Sequence, residues 1–445
     1  MTNDVLTEGN VFSRLVKFTI PITLALLLQV AYGTVDLIIV GNFASIADVS
    51  GVSTGSQLVA LITSLCTGLG MGITVLIGRY IGANSFEKVN MIIINAVVFF
   101  FTLAVFLTAS ILIFESFLLD FLNTPADAFT ETSNYIFYSA IGIPMIFAYN
   151  VLGSIFRGLG DSKTPLFAVA IACVSNIILD LILVGACNMG AAGASIATVC
   201  AQLISVVISL ILIKYKSKFN FYFKKHDISF KNILLIIKNG APMALQSVLT
   251  SLSFMFITII VNQYGIIYSS AVGLSEKATG LIMLIPLSFM QSIAVFVSQN
   301  NGANKPERAQ KGFRVGLAIS MTFGTAMALF TYFGGEYIAY IFNQDPELLA
   351  ATSEYLRAYA FDTFLVSILF CLIGYLNGCN KTTFLLIQGI VGACLLRIPL
   401  AYIFSQIEPF TLFTMGLATP IGSFTQIVII CVYLFIIRKQ LNLKK

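Results

Sequence analysis

The chain is short of charge. Asp, Glu, Lys and Arg supply only 10% of its 445 residues, against 58% hydrophobic residues, and mean hydropathy is +0.93. A soluble domain of this length needs roughly a quarter of its residues charged to cover its surface, so most of this surface faces something other than water. Histidine is nearly missing: the single one, His226, lies in a lysine-rich stretch, which excludes histidine-based acid–base or metal chemistry. Cysteine is present eight times (Cys66, Cys173, Cys187, Cys200, Cys371, Cys379, Cys394, Cys431) but scattered, mostly inside apolar runs, with no CxxC pair. That pattern reads as small buried apolar residues rather than a disulfide or zinc framework. No GxxxxGK[ST] loop occurs, so ATP is not expected to drive the protein directly. A cleavable signal peptide is not expected either: Met1 to Asn10 is polar and acidic, and the apolar run that follows is too long for an h-region.

What the chain has instead is long apolar runs. Crossing a bilayer core takes about 20 apolar residues in a helix, and twelve runs qualify: roughly 17–40, 49–77, 91–114, 134–156, 165–186, 191–213, 233–262, 269–298, 313–333, 352–377, 384–405 and 412–437. In hydrocarbon each backbone polar group must be satisfied within the protein, which makes these runs helices; barrel strands would be shorter and alternating. The basic residues sort by loop. All of the 25 except Lys277, Arg357 and Arg397 fall in the tails or in every second loop, and the opposite loops hold only acids, such as Asp48, Glu115, Asp120 and Glu336. The positive-inside rule then expects a multi-pass protein of the bacterial inner membrane with both termini in the cytoplasm.

The two halves repeat. Pro21 pairs with Pro242 at an offset of 221; Gly82-Ala83-Asn84 pairs with Gly302-Ala303-Asn304, Glu87 with Glu307 and Tyr135 with Tyr355 at 220. Arg157-Gly158-Leu159-Gly160-Asp161-Ser162-Lys163 pairs with Asn377-Gly378-Cys379-Asn380-Lys381-Thr382-Thr383 at the same offset. Six spans per half is even, so both halves begin on one side, and a pseudo-two-fold axis along the membrane normal is expected, with a substrate site between halves. The expected organisation is an N-terminal six-helix bundle at 1–213, a basic cytoplasmic linker at 214–232 and a C-terminal six-helix bundle at 233–445.

These residues resemble the multidrug and toxic compound extrusion (MATE) family over essentially the whole chain. The resemblance is carried by Pro21 with Val35-Asp36-Leu37 and Val40-Gly41, by Gly78-Arg79 and Gly82-Ala83, by Arg157 to Pro165, by Asn176 and Asp180, and by Gly193 to Thr198. The chain is most similar to the bacterial branch that keeps its ionisable residues in the N-terminal half. In the other main branch a carboxylate stands eight residues after the proline of the seventh span, where this chain has Thr250. The resemblance implies an all-α membrane protein, twelve transmembrane helices in two pseudo-symmetric bundles around a V-shaped central cavity. It also implies a monomeric exporter of small drug-like compounds that is not an enzyme and needs no cofactor beyond a coupling H⁺ or Na⁺.

A charge at the bilayer centre costs about 2.5–3.5 kcal/mol or more, so each one inside a span is a candidate. Asp36 and Asp180 lie at matching depth, roughly 7–9 Å below the outer boundary. Asn176 shares the face of Asp180 one turn away, and Gln29, Tyr32 and Asp36 make a polar stripe on the first span. The N-terminal half has no basic residue within the membrane to neutralise the two acids. The pair can hold a proton, or with Asn176 and Thr198 oxygens a Na⁺, or the cationic group of a drug; the alternative is a structural contact clamping spans one and five. Gln29, Tyr32, Tyr138 and Asn150 are candidates for the substrate cavity. In the C-terminal half Glu276, Lys277, Asp362 and Arg397 sum to zero charge and are expected to form an ion network, either a gate or substrate contact or a structural cluster with Lys277 reaching for the interface. Asp362 takes the repeat position of Gly142.

Arg157, Asp161 and Lys163 mark a tight cytoplasmic loop, read as turn chemistry with topology charge or as a functional contact. In-span Pro144, Pro286, Pro399 and Pro420 permit bends. Gly51-Val-Ser53-Thr-Gly55 imitates a nucleophile elbow without its strand–turn–helix context. Gly68xxxGly72 and Gly374xxxGly378 read as close helix packing. The lysines of 214–238 are expected to set topology or touch anionic lipid; nucleic acid is not an expected partner. The rival functions are a lipid or lipid-linked-saccharide flippase of the same superfamily and, more remotely, a membrane-embedded enzyme.

Overall fold

Runs this apolar have one way to satisfy their backbone, and the computed structural model is helical almost throughout. It describes residues 6–122, 124–216, 228–340 and 345–437. Residues 217–227 of the basic linker, with His226, and the basic C-terminal tail lie outside the described residues.

The first half runs α1 (Val11–Phe43), α2 (Ile46–Gly82), α3 (Phe86–Ile113), a short α4 (Glu115–Phe121), α5 (Phe129–Leu159), α6 (Lys163–Asp180) with a π turn over Leu181–Ala186, and α7 (Gly190–Lys216). The second runs α8 (Phe230–Asn262), α9 (Ile266–Ile282), α10 (Leu284–Gly302), α11 (Pro306–Tyr340), α12 (Pro346–Gly378), α13 (Thr382–Ile390) with a π turn over Val391–Arg397, α14 (Ile398–Ser405), α15 (Leu412–Gly416) and α16 (Ala418–Ile437). Among the described residues 11 helices are long and apolar enough to cross a membrane, and 12 if the bent pair α9 and α10 counts as one span. That pair departs from the unbroken run expected over 269–298. It bends by 43° at Met283, and Pro286 gives the reason: it has no N–H for the carbonyl of Ile282, and its ring crowds that carbonyl. Outward faces carry Phe101, Phe106, Phe330, Phe333 and Phe435 exposed, as a lipid-facing surface requires.

The chain divides into two units. One holds Ile20–Ala244; the other holds Leu6–Thr19 with Leu245–Lys445. The division therefore falls inside α1, between Thr19 and Ile20, and inside α8, between Ala244 and Leu245, close to Pro21 and Pro242, the prolines of the repeat.

In the first unit α2 packs on α5 through small residues. A Cβ on Gly51 would meet the Glu131–Thr132 backbone at 2.9 Å, and one on Gly55 would meet the Tyr135 ring at 2.5 Å. The GxSxG look-alike is thus a packing stripe. Gly68 and Gly72 do the same against the backbone of Ala244 and Gly240 at the start of α8. In the second unit Gly374 and Gly378 of α12 press on Met290 and Val297 of α10. Such close approach is how helices associate where lipid removes the hydrophobic drive.

The repeat reappears in the backbone. Asn84 and Asn304 both take positive φ, 52° and 56°, and so do Gly160 and Asn380, 87° and 61°. Each pair is 220 residues apart, and each residue type is one that tolerates the left-handed region. Beyond Gly160, the Asp161 carboxylate accepts from the backbone N–H groups of Lys163 and Thr164, both at 3.0 Å, and from the Thr164 hydroxyl at 2.6 Å. It starts α6 as a capping acid.

The candidate acid pair and its counterpart in the second unit

In the first unit α1 brings Asp36 to Asp180, which stands on the last residue of α6 just before the π turn. A π turn shifts the hydrogen-bond ladder by one residue and tends to occur at functional positions. Both acids face inward: Asp36 is 8% exposed and Asp180 0%. Their carboxyl groups lie within hydrogen-bonding reach of each other. Among the described residues, Asp36 Oδ1 and both oxygens of Asp180 meet no donor, and no arginine or lysine is among the groups acting on either carboxyl. A proton or a small cation placed between the acids would supply what each lacks.

Asn176, 2% exposed, donates from Nδ2 to the Thr198 hydroxyl at 3.5 Å, and its Oδ1 is left without a partner. Four of the residues singled out from sequence are thus gathered by three helices, with two carboxyls, an amide oxygen and a hydroxyl as oxygen donors. Such hard oxygens suit H⁺ or Na⁺ and not a soft transition metal.

Tyr32 is near both Asp36 and Tyr149, and Gln29 donates to the Tyr149 hydroxyl at 2.7 Å. Tyr138 packs edge to face on Phe137, and the Asn150 side-chain N–H is spent on the Ile146 carbonyl of its own helix at 2.8 Å. The tyrosine beside the acids is Tyr135, buried on α5 near Asp36, Asp180 and Tyr32. Below it Ser139 and Ser195 share a hydrogen bond of 2.8 Å. Sequence reasoning placed neither Tyr135 nor Tyr149 at the site. A signal existed for the first, since Tyr135 is a residue retained in both halves.

Of the loop residues, Arg157 donates to the Ser154 hydroxyl at 3.1 Å, Asp161 caps α6, and Lys163 is exposed.

In the second unit Asp362, 1% exposed, and Arg397, 5% exposed, lie within electrostatic range of each other, and the buried Tyr355 and Tyr359 lie within range of both and of Glu276. Arg397 closes the π turn over Val391–Arg397. It donates to the Ser253 hydroxyl at 3.0 Å and stacks on the Phe254 ring, 4.5 Å from its centroid. Glu276 accepts from Thr258 at 3.4 Å. Lys277 does not join this cluster: it is exposed on another face of α9, as adjacent positions on a helix must be.

The sequence profile of the MatE family matches residues 21–182 and again 242–403, one match per half. A "Probable multidrug resistance protein YpnP" of Bacillus subtilis is 26% identical over 90% of this chain and 89% of its own length. An "FAD transporter" of Shewanella oneidensis is 22% identical over 91% of this chain and 92% of its own. In three dimensions the chain resembles the outward-facing conformation of a multidrug resistance MATE family transporter with a TM-score of 0.92, 20% identity, and both chains covered in full.

Proposed function

We propose, since the chain belongs to the MatE family and so to a family of membrane transporters rather than enzymes, that it is a cation-coupled exporter of small amphipathic cations. The Bacillus subtilis relative is named a "Probable multidrug resistance protein", which supports drug efflux, and the charge of the site favours cationic cargo. Positive-inside asymmetry supports a bacterial inner-membrane protein with both termini in the cytoplasm.

The observation that carries the coupling is the acid pair. Asp36 and Asp180 are buried together with unsatisfied oxygens and, among the described residues, no basic partner. Two carboxylates so placed repel each other unless something positive joins them. H⁺ or Na⁺ entering from outside provides that charge, and so does the cationic group of a drug. Each therefore disfavours the other's binding, and exchange of one for the other is antiport. Asn176 and Thr198 complete the oxygen shell, and Gln29, Tyr32 and Tyr149 line the approach. A ligand shifts a two-state protein only as far as it prefers one state. Ion binding therefore has to reshape α1 against α6, and the π turn after Asp180 is the weak point of α6 where that reshaping fits.

The test is efflux from everted vesicles with an imposed pH or Na⁺ gradient. Asp36→Asn and Asp180→Asn should each lower gradient-driven transport at least tenfold while leaving expression intact. Undiminished transport in both variants would end the coupling assignment.

A further inference from the structure

Arg357 is a guanidinium at the acidic end of the second unit. The basic residues that flank α11 and α12, Lys305 to Arg314 and Lys381, lie at the other ends of those two helices. Arg357 stands five residues inside the apolar run 352–377, about 8 Å along the helix, and it is exposed. Beside it is a cavity of about 310 Å³, walled by Glu336 of α11 and by Pro346, Leu349, Ser353, Glu354 and Arg357 of α12. That volume lies within the roughly 300–1,000 Å³ of small-molecule sites. Among the described residues Glu336 and Arg357 have no hydrogen-bond or ion-pair partner. Glu354 accepts only the backbone N–H of Phe413, at 3.3 Å. Two carboxylates and a guanidinium thus line one small cavity without pairing to one another.

The cavity stands above an aromatic shelf. Tyr332 is four residues before Glu336 and Phe361 four after Arg357, so each shares its neighbour's helix face and lies about 6 Å nearer the bilayer centre. Their rings meet edge to face across the two helices, 5.9 Å apart, and Tyr332, Phe333 and Phe361 are exposed. Tyr337 and Tyr340, further along α11, are exposed as well, at the level where interfacial tyrosines gather. A charged rim over an apolar shelf has the layout of a lipid, with a headgroup above and acyl chains below. A soluble ion would use the rim and leave the shelf bare.

We propose that this cavity binds the headgroup of phosphatidylethanolamine, with Arg357 on the phosphate, Glu336 and Glu354 on the primary ammonium, and the acyl chains along Tyr332, Phe333 and Phe361. The planar fork of a guanidinium matches two phosphate oxygens, and a primary ammonium has three N–H groups to donate to carboxylates. A choline headgroup offers the same phosphate but no N–H. An anionic headgroup would meet Arg357 and set its uncompensated charge against two carboxylates. Positive-inside orientation puts the cavity in the outer leaflet. The proposal goes beyond ion coupling and does not use the acid pair of the first unit, so each stands or falls alone.

The chain has no tryptophan, so Tyr337→Trp, at an exposed residue outside the cavity wall, gives a single fluorophore beside the site. The full chain carrying it is reconstituted in vesicles of digalactosyldiacylglycerol, which has neither phosphate nor amine, doped with dibrominated phosphatidylethanolamine or dibrominated phosphatidylcholine. Bromine quenching should report association about fivefold tighter for the ethanolamine lipid, the size of one exposed charged contact. Adding Arg357→Gln should weaken both phospholipids about as much, and Glu336→Gln/Glu354→Gln should make the two equal. A preference that persists in the double carboxylate variant would overturn the proposal. A second series leaves the wall intact: N-methyl and N,N-dimethyl headgroups should associate progressively less, and equal quenching from the primary amine through to choline would overturn it too. Two further arms separate other ligands. Soluble phosphoethanolamine should leave the brominated lipid bound; if it displaces the lipid, the site takes a free zwitterion and the lipid assignment fails. Mg²⁺ at constant ionic strength should leave the preference unchanged; if it abolishes the preference, the carboxylates belong to a metal ion and the proposal fails.

Discussion

Tyr135 and Tyr355 stand 220 residues apart in the chain, and each is buried beside the carboxyl groups of its own unit. The repeat has conserved the ring and rearranged the charges around it. Tyr135 is held from behind by Gly55, where a Cβ would meet its ring at 2.5 Å.

Gly55 is therefore a lever on the acid pair. Gly55→Val should push Tyr135 out of place and cost about 1–3 kcal/mol as overpacking, with transport falling more steeply than expression. Adding Tyr135→Ala should recover most of the stability but not the transport. Melting temperature and vesicle efflux measured on the single and double variants check both halves of this expectation.

Asp161 acts at a distance from the site and should affect stability alone. Asp161→Ala removes three hydrogen bonds at the start of α6 and should lower stability by about 1 kcal/mol, as capping losses do. Asp161→Asn should retain most of it. Thermal melts read the difference, and efflux normalised to folded protein should be unchanged in both.

The segment before α1 is gripped by the second unit. Arg308 donates to the carbonyls of Leu6, Glu8 and Gly9, at 2.7 to 3.3 Å, and Lys305 to that of Thr7 at 3.1 Å. Arg308→Ala should raise amide hydrogen exchange across 6–14 at least tenfold, and Arg308→Lys should restore little, because an ammonium lacks the planar fork that reaches several carbonyls. Exchange mass spectrometry tests it; unchanged protection would mean that the buried Leu6 alone holds the segment.

Pro286→Ala should straighten the eighth span by restoring an N–H for the Ile282 carbonyl. Closing a 43° bend between spin labels at 266 and 304 lengthens their separation by about 4 Å at 1.5 Å rise per residue. Pulsed electron–electron resonance resolves that change, and an unaltered distance would assign the bend to packing instead of proline.

Much of the architecture is legible in the chain because lipid leaves so few options. Twenty apolar residues without charge can only be a helix, and a buried acid can only be there for a reason, so Asp36, Asp180, Asn176 and Thr198 were readable as a group. What resisted reading depends on hydrogen-bond bookkeeping that no periodicity reveals. The break at Met283 lies within a continuous apolar run, and the π turns after Asp180 and before Arg397 shift the ladder without changing composition. Tyr138 and Tyr135 are both aromatic on one span, one turn apart, yet it is Tyr135, packed on Gly55 of a neighbouring helix, that lies near the acids. Lys277 adjoins Glu276 in sequence, yet 100° of helical rotation sends the two to different surroundings.

The division of the chain inside α1 and α8 has a mechanical consequence. Each of these helices changes neighbours part-way along: α1 at Thr19–Ile20 and α8 at Ala244–Leu245, so a crease there would disturb neither set of contacts. Pro21 and Pro242 leave the carbonyls of Lys17 and Lys238 without their usual donors, so the crease has a prepared place in each helix. Replacing Pro21 or Pro242 would close that gap in the backbone ladder and remove the place where each helix can bend.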